Sequence, residues 1–154
     1  MDFMMADYAD IQELTRMRIA YIKEEQGNIS KQNEQIMRKR LPEYFEKHLG
    51  KDLFAFAAKE NNVIIATALL LIIEKPSNPN FINGRIGNVL NVYTMPDYRQ
   101  QGIAAKLMKN LIAFAKEHNL DFVELKATDE GYLLYKRIGF TEHESDYTEM
   151  RLVL

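Results

Sequence analysis

The residues best suited to chemistry lie in a polar loop that joins a predicted strand to a predicted helix. The strand is rich in apolar and β-branched residues and ends before Pro96, and the loop carries one cation, Arg99. Gly102 then opens a run of apolar residues at helical spacing. The first N–H groups of a helix carry about half a positive charge, and a residue without Cβ lets an anion approach them. The stretch therefore predicts a phosphate site, with a glycine needed only for packing as the alternative.

A second candidate lies near the C-terminus, where Tyr135 is followed at helical spacing by Gly139-Phe140. The pattern predicts a short helix over about 131–138, capped by Thr128 or Asp129 and ended by a left-handed glycine. A phenol has a pKa of about 10, so at pH 7 it is protonated and can donate a proton. A core position on the helix is the alternative interpretation of this tyrosine.

The elements that must position these residues follow from apolar periodicity and turn signals. A helical crossover separates strand 85–94 from strand 122–127, so the two should be parallel and should place the Gly102 helix at the carboxyl edge of the sheet. We expect an α/β fold with a mixed, mostly antiparallel central sheet and helices on both faces. Pro42 either kinks its helix or begins another. The predicted helices are about 8–26, 33–49, 102–118 and 131–138, and the predicted strands are 54–58, 63–73, 85–94, 122–127 and 147–154.

Composition narrows the class of protein. The chain has 154 residues with 47% hydrophobic and 27% charged content, a net charge of -2 and no cysteine. The charge argues against a general nucleic-acid binder, and the lack of cysteine excludes disulfides, thiolate metal sites and a cysteine nucleophile. The longest apolar run, 63–73, is too short to cross a bilayer, and the acidic start has no signal-peptide pattern. We expect one cytoplasmic domain over residues 1–154, with neither nucleic acid nor membrane as a partner.

Two motifs in this order resemble the GNAT superfamily of acyl-CoA-dependent N-acyltransferases. They are Arg99-x-x-Gly102-x-Ala104 after a strand and Leu134-Tyr135-x-x-x-Gly139-Phe140 at a later helix end. The strand Asn91-Val92-Tyr93-Thr94, with Pro96, Tyr98 and Arg99 after it, is also similar to a form found in that superfamily. The chain departs from the pattern at Thr128-x-x-Gly131, where many members carry N-x-x-A. The resemblance implies a GNAT-like fold with the parallel strand pair at the cofactor site, acetyl-CoA as co-substrate and no metal.

The resemblance also assigns roles to individual residues. The CoA pyrophosphate would lie on the N–H groups of Gln100 to Ala105, with Arg99 adding charge or shaping the loop. The pantetheine arm would pair with the strand backbone, as an extended ligand pairs with a sheet edge, and Thr128 would donate one hydrogen bond to it. Lys106, Lys109, Lys136 and Arg137 are candidates to neutralise phosphate, with a solvated surface charge as the alternative for each. The implied cofactor-binding residues are Leu90, Val92, Tyr93, Thr94, Arg99, Gln100, Gln101, Gly102, Ile103, Ala104, Ala105, Thr128 and Tyr135, and the implied catalytic residues are Tyr135, Asn91 and Val92.

Transfer of an acyl group from a thioester to an amine has three requirements: a neutral amine, a donor for the oxyanion and a proton for the thiolate. The backbone N–H of Val92 is the candidate oxyanion donor, and Tyr135 matches the family's proton donor by position. Asn91 cannot act as a base, although it can hold a water. No side chain identifies itself as the base, so we assign deprotonation to ordered water. Without a cysteine, direct transfer is favoured over an acyl-enzyme.

Three functions are consistent with these motifs. The first is an N-acetyltransferase that moves an acetyl group from acetyl-CoA to a primary amine of a small molecule or protein. The second is a non-catalytic acyl-CoA-binding regulator of the same fold, and the third is a protein that binds another nucleotide. The apolar segment 147–154 offers a strand that could pair across a homodimer.

Overall fold

The structure, a computed structural model, describes residues 1–154 and is built on a five-stranded sheet in the order β1-β2-β3-β4-β5. All neighbouring strands are antiparallel except β4 and β5, which are parallel. None of the helices combines the length and the apolarity that a bilayer span requires. The elements are β1 (Asp2–Met5), α1 (Ile11–Gln26), α2 (Lys31–His48), β2 (Leu53–Glu60), β3 (Val63–Glu74), β4 (Arg85–Thr94), α3 (Ile103–Glu117), β5 (Val123–Glu124) and α4 (Asp129–Ile138), with short 3-10 turns at Tyr8–Asp10 and Pro96–Tyr98.

Both faces of the sheet are covered, as the α/β interpretation predicted. On one face, α1 and α2 bury Leu14, Met17 and Phe45 against the central strands. On the other face, α3 buries Leu107, Met108 and Leu111, and α4 adds Tyr135 to the same cluster. Because β2 and β3 are buried on both faces, they read as nearly continuous apolar runs rather than as alternating ones.

Several local predictions are confirmed. The sequence predicts a hairpin turn at 60–62, and in the structure Asn61 and Asn62 both adopt positive φ, at 51° and 65°, between β2 and β3. The sequence predicts left-handed caps at Asn119 and Gly139, and these residues follow α3 and α4 with φ values of 57° and 113°. Thr128 caps α4, because its side chain accepts a hydrogen bond from the backbone N–H of the third residue of the helix.

Other predictions were wrong, and the errors lie at the edges of the sheet. The first strand, β1, was missed because its four residues gain their strand geometry only by pairing with β2. The predicted strand 122–127 shrinks to Val123–Glu124, and segment 147–154 forms no strand at all. The tail is exposed, so pairing across a homodimer stays a prediction. Of the two alternatives for Pro42, the start of a second helix is excluded, because α2 runs through this residue.

A bulge near the end of β4 shapes the place where β4 leaves its neighbours. Thr67 pairs with Tyr93 and Leu69 pairs with Leu90, so β4 carries one residue more than β3 over this interval. Asn91 adopts a φ of 53°, which lets the strand change direction there. On its other side, β4 pairs with β5 only at Gly87 and Asn88. The edge of β4 from Leu90 to Thr94 that faces away from β3 therefore has no strand partner.

Candidate active site

A cavity of ≈ 640 Å³ lies beside this unpaired edge of β4. Its walls come from the C-terminal turns of α1, the end of β4, the loop before α3, the first turn of α3 and the whole length of α4. The cavity is therefore at the carboxyl end of β4 and beside the N-termini of two helices. This is the position at which ligands of open α/β sheets bind.

The loop before α3 presents a row of unpartnered backbone donors to this cavity. The N–H groups of residues 100 to 105 donate no hydrogen bond within the protein, and the first helical bond of the segment is donated by Lys106 to the Gly102 carbonyl. Gln100 (φ 62°) and Gly102 (φ 76°) both lie in the left-handed region, which turns consecutive N–H groups in one direction. An added Cβ at Gly102 would meet no protein atom within 4 Å. The segment is thus built to receive an anion.

The Arg99 side chain fixes the shape of the loop, and its charge is already paired with a carboxylate. Its Nε donates to the Thr94 carbonyl at 2.8 Å, and its Nη2 pairs with Glu24 Oε2 at 2.7 Å. The guanidinium carbon also lies 5.5 Å from the centre of the Tyr93 ring. The hydrogen bond from Arg99 holds the pKa of Glu24 below its ordinary value. Since Glu24 neutralises the guanidinium, the positive potential of the loop comes mainly from the helix N-terminus.

The other basic residues predicted to neutralise phosphate fall into two groups. Arg137 lines the cavity, whereas Lys106, Lys109 and Lys136 do not. The Nζ of Lys106 lies 4.1 Å from the centre of the Phe3 ring, which directs it toward β1 and away from the loop. The position of Lys106 therefore fits a surface charge and not a phosphate ligand.

At the β4 bulge, the side chain of Asn91 is directed into the protein rather than into the cavity. Asn91 is 4% exposed, its Nδ2 donates to Thr67 Oγ1 at 3.1 Å, and Thr67 Oγ1 donates to the Asn91 carbonyl at 3.3 Å. Its Oδ1 accepts a long contact of 3.5 Å from Arg18 Nη1. These contacts fix the left-handed conformation of Asn91. They leave the next residue, Val92, at the cavity wall.

Tyr135 reaches the same cavity from α4, and the glycine one turn earlier makes room for its ring. Tyr135 is 9% exposed, and its ring packs edge-to-face on Phe140 at a centroid distance of 5.9 Å. An added Cβ at Gly131 would lie only 2.7 Å from Tyr135 Cε2. Burial raises the pKa of the Tyr135 phenol, so the group is protonated at neutral pH. In this structure the Tyr135 ring therefore packs directly against Gly131.

Thr128 is engaged at the start of α4 but keeps one hydrogen-bonding function. Its Oγ1 accepts from the N–H of Gly131 at 3.2 Å. The hydroxyl hydrogen is not needed for that cap, so the side chain can still donate to a ligand in the cavity.

Most of the residues predicted from the sequence meet around this cavity. Leu90, Asn91 and Gln101 do not line it, although they flank residues that do. No group of three or more histidine, aspartate or glutamate side chains is arranged to hold a metal ion. The predicted residues that line the cavity are Val92, Tyr93, Thr94, Arg99, Gln100, Gly102, Ile103, Ala104, Ala105, Thr128 and Tyr135.

The last turns of α1 supply residues that the sequence interpretation missed. Tyr21, Glu24 and Glu25 all line the cavity. Tyr21 meets the Tyr93 ring edge-on at 6.2 Å, and burial together with the Glu25 carboxylate raises its pKa. One signal was available: two glutamates at a helix C-terminus oppose the helix dipole, which makes them unusual for a purely structural role.

Comparisons with known proteins point to one family. Residues 16–140 match the model of the acetyltransferase (GNAT) family. A predicted acetyltransferase from Clostridium acetobutylicum, solved with acetyl-CoA, is 32% identical, with 97% of this chain and 95% of that chain covered and a TM-score of 0.86.

More distant structures share the fold. A GCN5-related N-acetyltransferase from Ralstonia eutropha is 24% identical over 97% of both chains, with a TM-score of 0.81. An aminoglycoside N-acetyltransferase in complex with CoA is 15% identical, with 97% of this chain and 93% of that chain covered and a TM-score of 0.73. We found no curated protein whose sequence matches the chain. The family match and the first of these structures show that the chain belongs to the GNAT acetyltransferase family.

Proposed function

We propose that the protein transfers the acetyl group of acetyl-CoA directly to a primary amine of a small molecule or protein. One observation carries the proposal: the unpartnered N–H groups of residues 100 to 105, the open edge of β4 and the Tyr135 phenol all border one cavity. The acetyl-CoA in the 32% identical structure from Clostridium acetobutylicum supports the choice of cofactor.

The cofactor would be held mainly by backbone groups. The pyrophosphate accepts hydrogen bonds from the N–H groups of Gln100 to Ala105, and Arg99 keeps that loop in shape. The pantetheine arm runs along the free edge of β4 from Leu90 to Thr94, as a peptide adds to a sheet edge. Backbone donors on a helix and a strand are already fixed, so binding costs little reorganisation of the protein.

The chemistry then follows from the groups around the thioester. The amine nitrogen attacks the carbonyl carbon, a C–N bond forms, and the N–H of Val92 donates to the developing oxyanion. The C–S bond breaks as the intermediate collapses, and Tyr135 donates its proton to the departing thiolate. A positioned acid of this kind contributes roughly 10²–10⁴ in rate. The proton lost by the amine passes to water and restores the phenol through solvent.

Neutralising the amine is the larger demand. An alkylamine with a pKa of about 10.4 costs roughly 4–5 kcal/mol to deprotonate at pH 7. Glu25 lines the cavity and, unlike Glu24, forms no ion pair within the protein. We assign it the binding of the incoming ammonium group. A carboxylate at that point favours the charged amine, so ordered water, not Glu25, takes the proton.

The proposal is tested by measuring CoA thiol release from acetyl-CoA with a panel of primary amines, alongside acetyl-CoA binding by calorimetry. We expect saturable binding and release with at least one amine, and a 10²–10⁴-fold loss of kcat in Tyr135→Phe. Tyr132→Phe is the matched control, because Tyr132 lies on the same helix and its hydroxyl contacts Glu142 outside the cavity. Binding without release from any amine would point to the regulatory alternative, and failure to bind acetyl-CoA would contradict the proposal altogether.

A further inference from the structure

The same face of α1 that supplies Tyr21 and Glu25 to the cavity also carries an arginine, Arg18. These three residues are spaced i, i+3 and i+7, so they form one stripe along the helix. The Arg18 side chain reaches the β4 bulge, where its Nη1 lies 3.5 Å from Asn91 Oδ1. The guanidinium therefore contacts the buried side chain of the residue before the proposed oxyanion donor, Val92, although Arg18 is not itself part of the cavity lining.

Arg18 has no carboxylate partner, in contrast to three other arginines of the protein. Arg16 pairs with Glu13, Arg38 with Glu34 and Arg99 with Glu24, but no acidic side chain lies within ion-pair distance of Arg18. Its one side-chain hydrogen bond, to Asn91, is at the outer limit of hydrogen-bond distance. A half-buried guanidinium gains most from a carboxylate or phosphate that accepts two parallel hydrogen bonds.

The groups around Arg18 are suited to an anion as well. Tyr44, from α2, and Tyr21, from α1, are both close enough for the Arg18 charge to act on them. Burial raises the pKa of each phenol and the Arg18 charge opposes that rise. Both phenols are consequently protonated donors at neutral pH, and neither brings a negative charge to the guanidinium. Arg18 thus has two neutral phenols near it; Tyr21 is hydrogen-bonded to the Glu25 carboxylate, and the Asp52 carboxylate acts on Tyr44.

We propose that Arg18 binds the carboxylate of the acceptor, and that the acceptor is an amino-acid-like molecule bearing that carboxylate near the reacting amine. The inference rests on the proposed function and adds the substrate class to it. The ammonium faces Glu25 and the carboxylate faces Arg18, so the charge pattern along α1 matches that of a zwitterion. Neutral amines lack the second contact and bind more weakly.

The test compares matched acceptors with acetyl-CoA held constant: amino acids, the corresponding amines without the carboxylate, and the corresponding amides. A phosphate-bearing amine, phosphoethanolamine, is compared with ethanolamine. We expect wild type to favour the carboxylate form, and Arg18→Gln to lower kcat/KM for that form about 10- to 100-fold while leaving the amine and the amide nearly unchanged. Arg18→Lys should restore part of the preference. Lys23→Gln is the control, because Lys23 lies on the same helix but pairs with Glu34 outside the cavity.

Two results would overturn the inference while leaving the proposed function intact. If Arg18→Gln lowers kcat/KM equally for all acceptors, Arg18 only positions Asn91. If the variant lowers kcat/KM for phosphoethanolamine alone, Arg18 belongs to a phosphate site instead. If no acceptor is acetylated although acetyl-CoA binds, the proposed function fails. Calorimetry of amino acid binding to the CoA complex then tests whether Arg18 binds the carboxylate. An unchanged Kd in Arg18→Gln overturns the inference.

Discussion

Replacing Gly131 with alanine tests whether this one glycine sets the position of the proposed acid, Tyr135. An ideal Cβ at Gly131 would lie 2.7 Å from Cε2, 3.2 Å from Cζ and 3.3 Å from the hydroxyl oxygen of Tyr135. Non-bonded carbon atoms normally rest about 3.5–4.0 Å apart, so the ring must move by roughly 1 Å. The ring is held between Gly131 and Phe140, and any movement carries the hydroxyl with it.

The magnitudes decide the expected result. Alanine in a helix interior is favoured over glycine by about 1 kcal/mol, whereas overpacking a buried ring costs about 1–3 kcal/mol. We therefore expect Gly131→Ala to lower the free energy of unfolding by about 0–2 kcal/mol, measured by urea denaturation. A misplacement of about 1 Å in a reacting group costs roughly 10²-fold, so kcat should fall by about 10- to 100-fold. The affinity for acetyl-CoA should change little, because the loop at 100–105 is untouched.

A double-mutant cycle isolates the cause. Once the hydroxyl is removed in Tyr135→Phe, adding Gly131→Ala should cost no further kcat, since no acid remains to be displaced. The reasoning is refuted if Gly131→Ala alone gains about 1 kcal/mol of stability at full activity, because the ring would then have had room for the Cβ. Additive losses of kcat in the double variant would show that alanine acts through another part of the site.

Three further variants test the loop and its supports. Gly102→Ala should lower acetyl-CoA affinity at least tenfold, because the added Cβ would point into the open space where phosphate would lie. Gly50→Ala is the control, since Gly50 has a similar φ (79° against 76°) and equally empty surroundings. This control should lose only stability, about 1–2 kcal/mol. Arg99→Gln should lower the affinity less than tenfold by calorimetry, since its charge is already neutralised by an α1 carboxylate; a hundredfold loss would mean direct contact with phosphate. The Arg16 hydrogen bond lowers the pKa of Glu13, so the stabilisation from this carboxylate is full above about pH 4.3 and is lost as the pH falls through the lowered pKa. In Glu13→Gln, the free energy of unfolding should therefore depend less steeply on pH in the acid range, by an amount that corresponds to at most one bound proton. An unchanged slope would contradict this.

The parts of the fold that sequence reasoning predicted well are those in which a single residue determines the local backbone. Asn119 and Gly139 end helices because their residue types tolerate positive φ, and Gly102 opens α3 for the same reason. Such preferences act within a few residues and need no tertiary partner. The backbone of the loop before α3 could therefore be predicted from residue types and spacing.

The parts that were missed depend on distant pairing. Four residues of β1 form a strand because β2 provides hydrogen bonds, and β5 is short because β4 diverges from it. The α1 wall of the cavity, Tyr21 with Glu24 and Glu25, comes from a helix about 70 residues before β4 in the sequence, and no local pattern links the two. The role of Gly131 likewise appears only when the ring of Tyr135 is seen packed on it.

The most direct test of the account is a crystal structure of the protein with CoA bound. The account predicts pyrophosphate oxygens within about 2.7–3.2 Å of the N–H groups of Gln100 to Ala105. It also predicts the pantetheine arm along the edge of β4 from Leu90 to Thr94, with the sulfur within hydrogen-bond distance of the Tyr135 hydroxyl. A pyrophosphate bound away from this loop, or a sulfur directed away from Tyr135, would contradict it.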